Sequence, residues 1–212
     1  MKDLVILIPC RNEKKTITKI VTFLKIYKII IINDASSDSF ENDLKFSKNI
    51  KILNNKFRMG YEKSLIKGIK YIKNLRDKKI KYILTMDADG EHNPIYVKKI
   101  YQKIKKQKFD LIIGNRSKKN RVSEDIISNI LYKNYKIKDP LSGFKIYNVK
   151  YLFKFINSSS KKHFLSDICI RFIKENLLVK NINISTKINK SRNPKVNKKT
   201  VNKKILSVSK LI

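Results

Sequence analysis

Short apolar runs alternate with segments of helical periodicity along the chain, and this alternation restricts the possible folds more than any other feature. Two apolar runs, at residues 4–8 and 29–32, are typical of strands that are buried on both faces. Between them apolar side chains recur at helical spacing, at Ile17, Ile20, Val21 and Leu24. A strand, a helix and another strand in this order predict a β-α-β unit.

The alternation continues, and it predicts an α/β fold with a mainly parallel sheet and helices on both faces. Further strands are predicted at residues 50–53, 80–86, 109–114 and 179–184. Further helices are predicted at residues 61–72, 94–104, 123–132, 149–156 and 164–174. The 212 residues fit one domain, which we place at residues 1–192, followed by a basic tail at residues 193–212.

The net charge of the chain is strongly positive, at +33 with 50 Lys and Arg against 17 Asp and Glu. Such a charge favours polyanions as partners, so a basic nucleic-acid-binding module is an alternative of a different class. The lysines are scattered along the whole chain, however, and no helix-turn-helix or aromatic RNA-binding pattern is apparent. We therefore expect no nucleic acid partner.

The cysteines and the apolar runs bear on the cellular compartment. Cys10 and Cys169 lie far apart and form no C-x-x-C pair, which predicts neither a disulfide framework nor a zinc site. No apolar run approaches the ~18 to 20 residues that a membrane-spanning helix needs. We expect a cytoplasmic protein, or one that lies peripherally on the inner face of the membrane.

Three acidic side chains gather where the fourth predicted strand ends, at Asp87, Asp89 and Glu91. In an extended backbone they would share one face of the strand. Carboxylates so placed suit Mg²⁺ or Mn²⁺, whose open positions substrate phosphates can fill. A calcium EF-hand loop is a poor match, because it needs Gly and Glu where this sequence has His92 and Lys98. A D-x-D pair also arises by chance in exposed turns, so a metal site and an ordinary turn remain alternatives.

Other polar residues follow the predicted strand ends, which is where ligands bind in open α/β sheets. Asp34 follows the second strand, and its carboxylate suits a nucleobase N–H or a ribose hydroxyl, although Asp is also an ordinary turn residue. Arg116 and Arg121 follow the fifth strand. Their planar guanidinium groups are suited to phosphate oxygens, or simply to solvent on so basic a surface.

The later part of the sequence offers three further features. Ser142 and Gly143 in "DPLSGF" predict either a loop that shapes an acceptor pocket or a structural turn. Asp167 lies among apolar residues of a predicted helix, where an unpaired acid would be costly, so it needs a partner or has a catalytic role. His92 and His163 have no helper residues at a recognisable spacing, and we interpret both as surface histidines.

Taken together and in this order, these stretches resemble family 2 glycosyltransferases of the GT-A fold, and within them the polyprenyl (dolichyl) phosphate sugar synthases. The matching segments are "LIPCRNE", "IIINDASSDS", "RMGYEKSLIKGI", "YILTMDADGEHNP", "LIIGNRS", "DPLSGFKIY" and "FLSDICIRFIKENLLVKNINI". The resemblance covers residues 4–192. It implies an inverting transfer of a sugar from a nucleoside-diphosphate sugar, with Mg²⁺ or Mn²⁺ bridging the diphosphate.

The resemblance also implies roles for individual residues. The nucleotide would be held by Pro9, Arg11, Glu13 and Asp34. The metal ligands would be Asp87, Asp89 and Glu91. Further contacts to the substrates would come from Asp87, Ala88, Ser142 and Gly143. A phosphate of the donor or of the acceptor would meet Arg116 and Arg121, and we name Asp89 and Arg116 as catalytic residues.

Two classes of acceptor remain open. A polyprenyl phosphate, or a similar membrane-linked acceptor, can attack the anomeric carbon with its own phosphate oxygen. The basic tail would then rest on an anionic bilayer. A glycan hydroxyl, as in the assembly of a surface polysaccharide, would need a general base, and Asp167 is the candidate for that catalytic role.

Overall fold

The computed structural model describes residues 3–44, 47–119 and 121–187, and its elements alternate as the sequence predicts. The strands are β1 (Leu4–Cys10), β2 (Lys28–Asn33), β3 (Ile50–Asn54), β4 (Tyr82–Thr85), β5 (Leu111–Arg116), β6 (Lys145–Asn148) and β7 (Val179–Ile184). The helices are α1 (Lys14–Phe23), α2 (Glu41–Leu44), α3 (Tyr61–Asn74), α4 (Ile95–Gln107), α5 (Val122–Tyr135), α6 (Val149–Phe155) and α7 (Phe164–Lys174). The predicted α/β class is confirmed.

The strands of the described residues form one sheet in the order β3-β2-β1-β4-β6-β5-β7. Strands β3, β2, β1 and β4 are parallel neighbours, and β5 pairs with β7 in parallel. Strand β6 runs antiparallel between β4 and β5. The sheet is therefore mainly parallel, as predicted, with one antiparallel strand near the D-x-D segment.

Two details of the predicted sheet were wrong. Strand β6 was missed, because its four residues follow the "DPLSG" turn directly and are too short to show an alternating pattern. Strand β4 is shorter than predicted and ends at Thr85, and the chain then turns at residues 88–90. The shared strand face that we expected for the three acids after β4 therefore does not exist.

Apolar side chains pack against both faces of the sheet. Along β1, Val5 and Leu7 enter one core, while Ile6 and Ile8 enter the other. The first core includes residues of α3, α5, α6 and α7, and the second includes residues of α1 and α4. Because helices cover both faces, the central strands β1 and β2 are apolar over most of their length, and polar side chains gather where these strands end.

No helix of the described residues is long and apolar enough to cross a membrane. The predicted domain boundary at residue 192 and the basic tail that follows it lie outside the described residues.

Candidate active site

A first cavity, of about 280 Å³, opens where the carboxyl ends of β1, β2 and β4 meet. Residues singled out from the sequence line it, namely Pro9, Arg11, Glu13, Asp34, Asp87, Ala88 and Asp89. Arg58, Gly60 and Tyr61, at the start of α3 and just before it, line it as well. The parallel arrangement of the strands thus brings together segments that lie far apart in the sequence.

Asp34 holds the loop that leads into α3. Its side chain accepts hydrogen bonds from Asn55 Nδ2 at 2.8 Å, Met59 N at 2.7 Å and Gly60 N at 2.9 Å. Burial acts to raise the pKa of Asp34, but these hydrogen bonds outweigh it and lower the pKa. An ionised Asp34 therefore fixes one wall of the first cavity, where Gly60 adopts a φ of 88°.

A second cavity, of about 300 Å³, adjoins the first and shares Tyr61, Asp87 and Asp89 with it. The rest of its lining comes from α3, β5, α5, α7 and the loops after β4, β5 and α5, namely Glu62, Glu91, Arg116, Arg121, Glu124, Leu141, Gly143 and Leu165. The D-x-D turn is thus the boundary between two cavities, which is a suitable place for a reaction between two substrates.

Asp87 is confined at this boundary by Gly143 and Tyr61. A Cβ added to Gly143 would overlap Asp87 Oδ1 and the Tyr61 hydroxyl, so only glycine fits there. The Tyr61 hydroxyl lies beside the carboxylate of Asp87, whose Oδ1 is buried. Burial raises the pKa of Asp87 in spite of the adjacent Tyr61 hydroxyl and the charges of Arg116 and Lys145.

The two aspartates of the D-x-D segment fit a divalent cation. Burial and the charge of Asp87 raise the pKa of Asp89 to about 6. The two carboxylates therefore repel each other when no cation lies between them. Within residues 3–44, 47–119 and 121–187, no group of three or more His, Cys, Asp or Glu side chains is placed to hold a metal. A site of two carboxylates still suits Mg²⁺ or Mn²⁺ when substrate phosphates complete the coordination. Glu91 is buried, and its backbone N–H donates to Asp89 Oδ1 at 3.0 Å.

His92 is buried, with 1% of its surface exposed, so the interpretation of it as a surface histidine was wrong. Its Nδ1 accepts a hydrogen bond from Asp87 N at 3.3 Å, and its ring packs on Phe144 with centroids 5.4 Å apart. Burial lowers the pKa of His92 to about 4, which keeps the ring neutral at neutral pH. His92 therefore supports the D-x-D turn from inside the fold. His163, at the start of α7, is half-buried.

Arg116 faces the second cavity but is already bound by two acids. The Asp139 carboxylate accepts hydrogen bonds from Arg116 Nε at 2.8 Å and from Nη2 at 3.0 Å. It also accepts a hydrogen bond from the Arg116 backbone N–H at 3.1 Å. Glu124 Oε2 lies 3.0 Å from the same Nη2. Bidentate pairing of this kind fixes the plane of a guanidinium group. Arg116 is thus held rigidly in the wall of the cavity.

A buried lysine supports the loop that presses on Asp87. Lys145 is fully buried on β6, and its Nζ donates to the backbone oxygens of Pro140, at 3.0 Å, and of Ser142. The Thr85 hydroxyl donates to Gly143 O at 2.7 Å. These bonds set the position of Gly143. The Ser142 side chain is buried and accepts the backbone N–H of Phe144, at 3.2 Å, so it stabilises the turn.

Asp167 lies outside the lining of both cavities. Its carboxylate accepts hydrogen bonds from Arg171 Nε at 2.9 Å and from the backbone N–H of Ser160 at 2.8 Å. The partner that a buried acid needs is therefore present on the next turn of α7. The structure does not bring Asp167 to the D-x-D turn.

The family model described as Glycosyl transferase family 2 matches residues 5–175 of this sequence. The chain belongs to glycosyl transferase family 2. This confirms the family predicted from the sequence motifs, while the polyprenyl-phosphate subgroup stays a prediction. An uncharacterized protein of Methanocaldococcus jannaschii is 26% identical to this glycosyltransferase over 185 residues, which cover 77% of this chain and 80% of that protein.

Solved structures share the fold of this glycosyltransferase at low sequence identity. Glucosyl-3-phosphoglycerate synthase from Mycobacterium tuberculosis, in complex with Mn²⁺ and UDP-glucose, has a TM-score of 0.72 and 13% identity. The match covers 98% of this chain and 78% of that one. The mannosyltransferase PcManGT from Pyrobaculum calidifontis, in complex with GDP-mannose and Mn²⁺, has a TM-score of 0.65 and 9% identity over 90% of this chain and 58% of that one. The predicted GT-A fold is confirmed.

Several residues around the two cavities of the glycosyltransferase were not predicted. They are Arg58, Tyr61, Glu62, Glu124, Leu141 and Leu165. Glu124 had a usable signal, because it follows Arg121 at the start of a predicted helix. Arg58 and Tyr61 flank Met59 and Gly60 in a segment that entered the sequence analysis only as part of the family resemblance. Their roles depend on how α3 is placed against the sheet, and no local pattern shows that.

Proposed function

We propose that this glycosyltransferase transfers a hexose, with inversion, from a nucleoside-diphosphate sugar, and that Mg²⁺ or Mn²⁺ assists the reaction. The observation that supports this most strongly is the junction of the two cavities at Asp87 and Asp89. A donor in the first cavity and an acceptor in the second would meet at these carboxylates. UDP-glucose and GDP-mannose are bound together with Mn²⁺ in the two structural relatives.

The first cavity is suited to the nucleotide. Arg11 and Arg58 are exposed at its lining and offer guanidinium groups to a diphosphate. Asp34 shapes the wall by holding Met59 and Gly60, and Glu13 lines the same cavity. In this proposal Pro9 and Ala88 form the apolar part of the lining.

Asp87 and Asp89 would hold the divalent cation. When bound, the cation would stabilise the charge that develops on the departing nucleoside diphosphate. Gly143 and Tyr61 restrict the position of Asp87 to one side, and the backbone N–H of Glu91 orients Asp89. We assign Glu91 itself to the support of Asp89, since two carboxylates and the diphosphate supply enough ligands for such an ion.

A panel of UDP- and GDP-sugars, assayed for release of the nucleoside diphosphate with and without a polyprenyl phosphate, tests the proposal. We expect Mn²⁺- or Mg²⁺-dependent release from at least one donor and loss of release in EDTA. The proposal would be overturned if a correctly folded protein neither bound nor turned over any of the nucleotide sugars. Release that the polyprenyl phosphate accelerates would select that acceptor over a glycan hydroxyl.

A further inference from the structure

The second cavity contains more acidic than basic groups, although the chain as a whole is strongly basic. Its five carboxylates belong to Glu62, Asp87, Asp89, Glu91 and Glu124. Its two guanidinium groups belong to Arg116 and Arg121. If Asp87 and Asp89 are assigned to a cation that the donor diphosphate also binds, three glutamates still face two arginines. The field in this cavity does not favour an incoming anion.

The deeper of the two guanidinium groups is not available to a phosphate. Arg116 is 9% exposed at its side chain, and Asp139, which binds it with both oxygens, is fully buried. Glu124, 14% exposed, approaches Arg116 Nη2 from within the cavity lining. A phosphate at Arg116 would have to displace Glu124 or lie beside its charge, and like charges in close contact are unfavourable. Arg121 is exposed at the rim.

We propose that Glu124 determines acceptor specificity: by pairing with Arg116 it makes the second cavity accept an uncharged carbohydrate hydroxyl and reject a phosphate. The proposal rests on the proposed function and names the acceptor class of the same site. Carboxylates that line the cavity can accept hydrogen bonds from sugar hydroxyls. Leu141 and Leu165 add apolar surface for the face of a sugar ring.

The transfer to a hydroxyl can be written with the donor, the acceptor and the carboxylates of the second cavity, with every bond and proton accounted for. The acceptor hydroxyl oxygen forms a bond to the anomeric carbon of the donor sugar. The bond between that carbon and the diphosphate oxygen breaks, and the departing nucleoside diphosphate takes the electron pair. The hydroxyl proton passes to a carboxylate of the cavity lining, which acts as the general base. A phosphate acceptor would not need that last step.

The test compares phosphate binding by the wild-type chain, Glu124→Gln and Glu124→Ala, with farnesyl phosphate as the probe and farnesol as the control for the lipid. Asp125→Asn is the matched variant, because Asp125 is the next residue of α5 and forms an exposed pair with Lys119, at 3.2 Å, outside the cavity. We expect farnesyl phosphate to bind both Glu124 variants at least about tenfold more tightly than the wild type or Asp125→Asn. Farnesol should not distinguish the four proteins.

Equal binding of farnesyl phosphate by the wild type and by correctly folded Glu124 variants would overturn the proposal. So would faster release of nucleoside diphosphate with farnesyl phosphate than with a panel of methyl glycosides. Acceleration by a methyl glycoside alone would support it, and when neither probe is a substrate the binding comparison decides. UDP and GDP binding is measured on the same samples, and its absence counts against the proposed function while the phosphate comparison still decides this inference.

Discussion

Gly143 lies directly against the carboxylate of Asp87, and a Cβ on residue 143 would stand 2.7 Å from Asp87 Cγ. The contact links the antiparallel strand β6 to the D-x-D turn, because Gly143 is held by Thr85 and by the turn that Lys145 supports. The exact place of Asp87, and with it the proposed cation site, therefore depends on a residue that is distant in the sequence.

Replacing Gly143 with Ala should displace Asp87 and weaken the response to the cation. We expect the thermal stabilisation by UDP or GDP with Mn²⁺ to be lost, while the folded chain loses only ~1 to 3 kcal/mol from overpacking. Gly68→Ala is a matched control, since its Cβ would press on the side chains of Leu7 and Ile32 in the core, away from the carboxylates. The control should lower the melting temperature and keep the cation response. Identical nucleotide responses in the two variants would contradict this account.

Asp34→Asn should destabilise the loop before α3 and weaken nucleotide binding. The new amide nitrogen would face N–H donors that now bind a carboxylate, at a cost of about 2 to 3 kcal/mol in the free energy of unfolding. Urea denaturation and titration with UDP and GDP measure the two effects. Asp43→Asn provides the comparison, because Asp43 forms an exposed pair with Lys14, at 3.3 Å, and should change stability by less than about 1 kcal/mol.

Asp139 should contribute to stability in a pH-dependent manner. Burial acts to raise its pKa, but the hydrogen bonds and the charge of Arg116 outweigh burial and lower it. A carboxyl with a lowered pKa in the folded state stabilises the fold fully above its unfolded pKa of ~3.9 and loses that effect as the pH falls through the folded-state value. Asp139→Asn should cost ~3 kcal/mol or more at neutral pH, because it removes the bidentate partner of a buried guanidinium group.

Thermal melts between about pH 3 and pH 7 measure this contribution. The difference in melting temperature between the wild type and Asp139→Asn should shrink toward the acid end of the range. A difference that stays constant or grows in acid would show that Asp139 is not the titrating group.

Asp167→Asn should lower stability and leave catalysis nearly intact, because the structure pairs Asp167 with Arg171 and Ser160 outside both cavities. We expect a loss of about 1 to 2 kcal/mol in the free energy of unfolding. Arg171→Gln should show a similar loss, and kcat should stay within about twofold of the wild type for both variants. A fall in kcat of ~100-fold or more with unchanged stability would instead identify Asp167 as a general base.

The sequence was sufficient to predict the fold and the edge of the sheet where the cavities lie, because strand and helix periodicities are local and the carboxyl ends of parallel strands must meet. It was also sufficient to predict that Asp34, Asp87 and Asp89 lie at the same edge of the sheet, where all three line the first cavity. It could not show that β6 inserts beside β4, because four residues after a turn carry no periodicity of their own.

The ion-pair partners of charged side chains also could not be predicted from the sequence. Arg116 was assigned to a phosphate, and the structure binds it to Asp139 and Glu124. The pairing depends on how α5 and the loop before β6 pack on β5, over separations of 8 to 23 residues in a chain rich in basic side chains. His92 was misplaced for the same reason, since only the packing of β6 shows that Phe144 covers it.

The most direct test of the account is the thermal stabilisation of the chain by UDP- and GDP-sugars with Mn²⁺, with EDTA, and after Asp89→Ala, with Glu175→Ala as a surface control that removes only an exposed pair with Lys154. We predict a rise in melting temperature with at least one donor that disappears in EDTA and in Asp89→Ala and persists in Glu175→Ala. A donor response that EDTA and Asp89→Ala leave unchanged would contradict the assignment of Asp87 and Asp89 to a cation that binds the donor diphosphate.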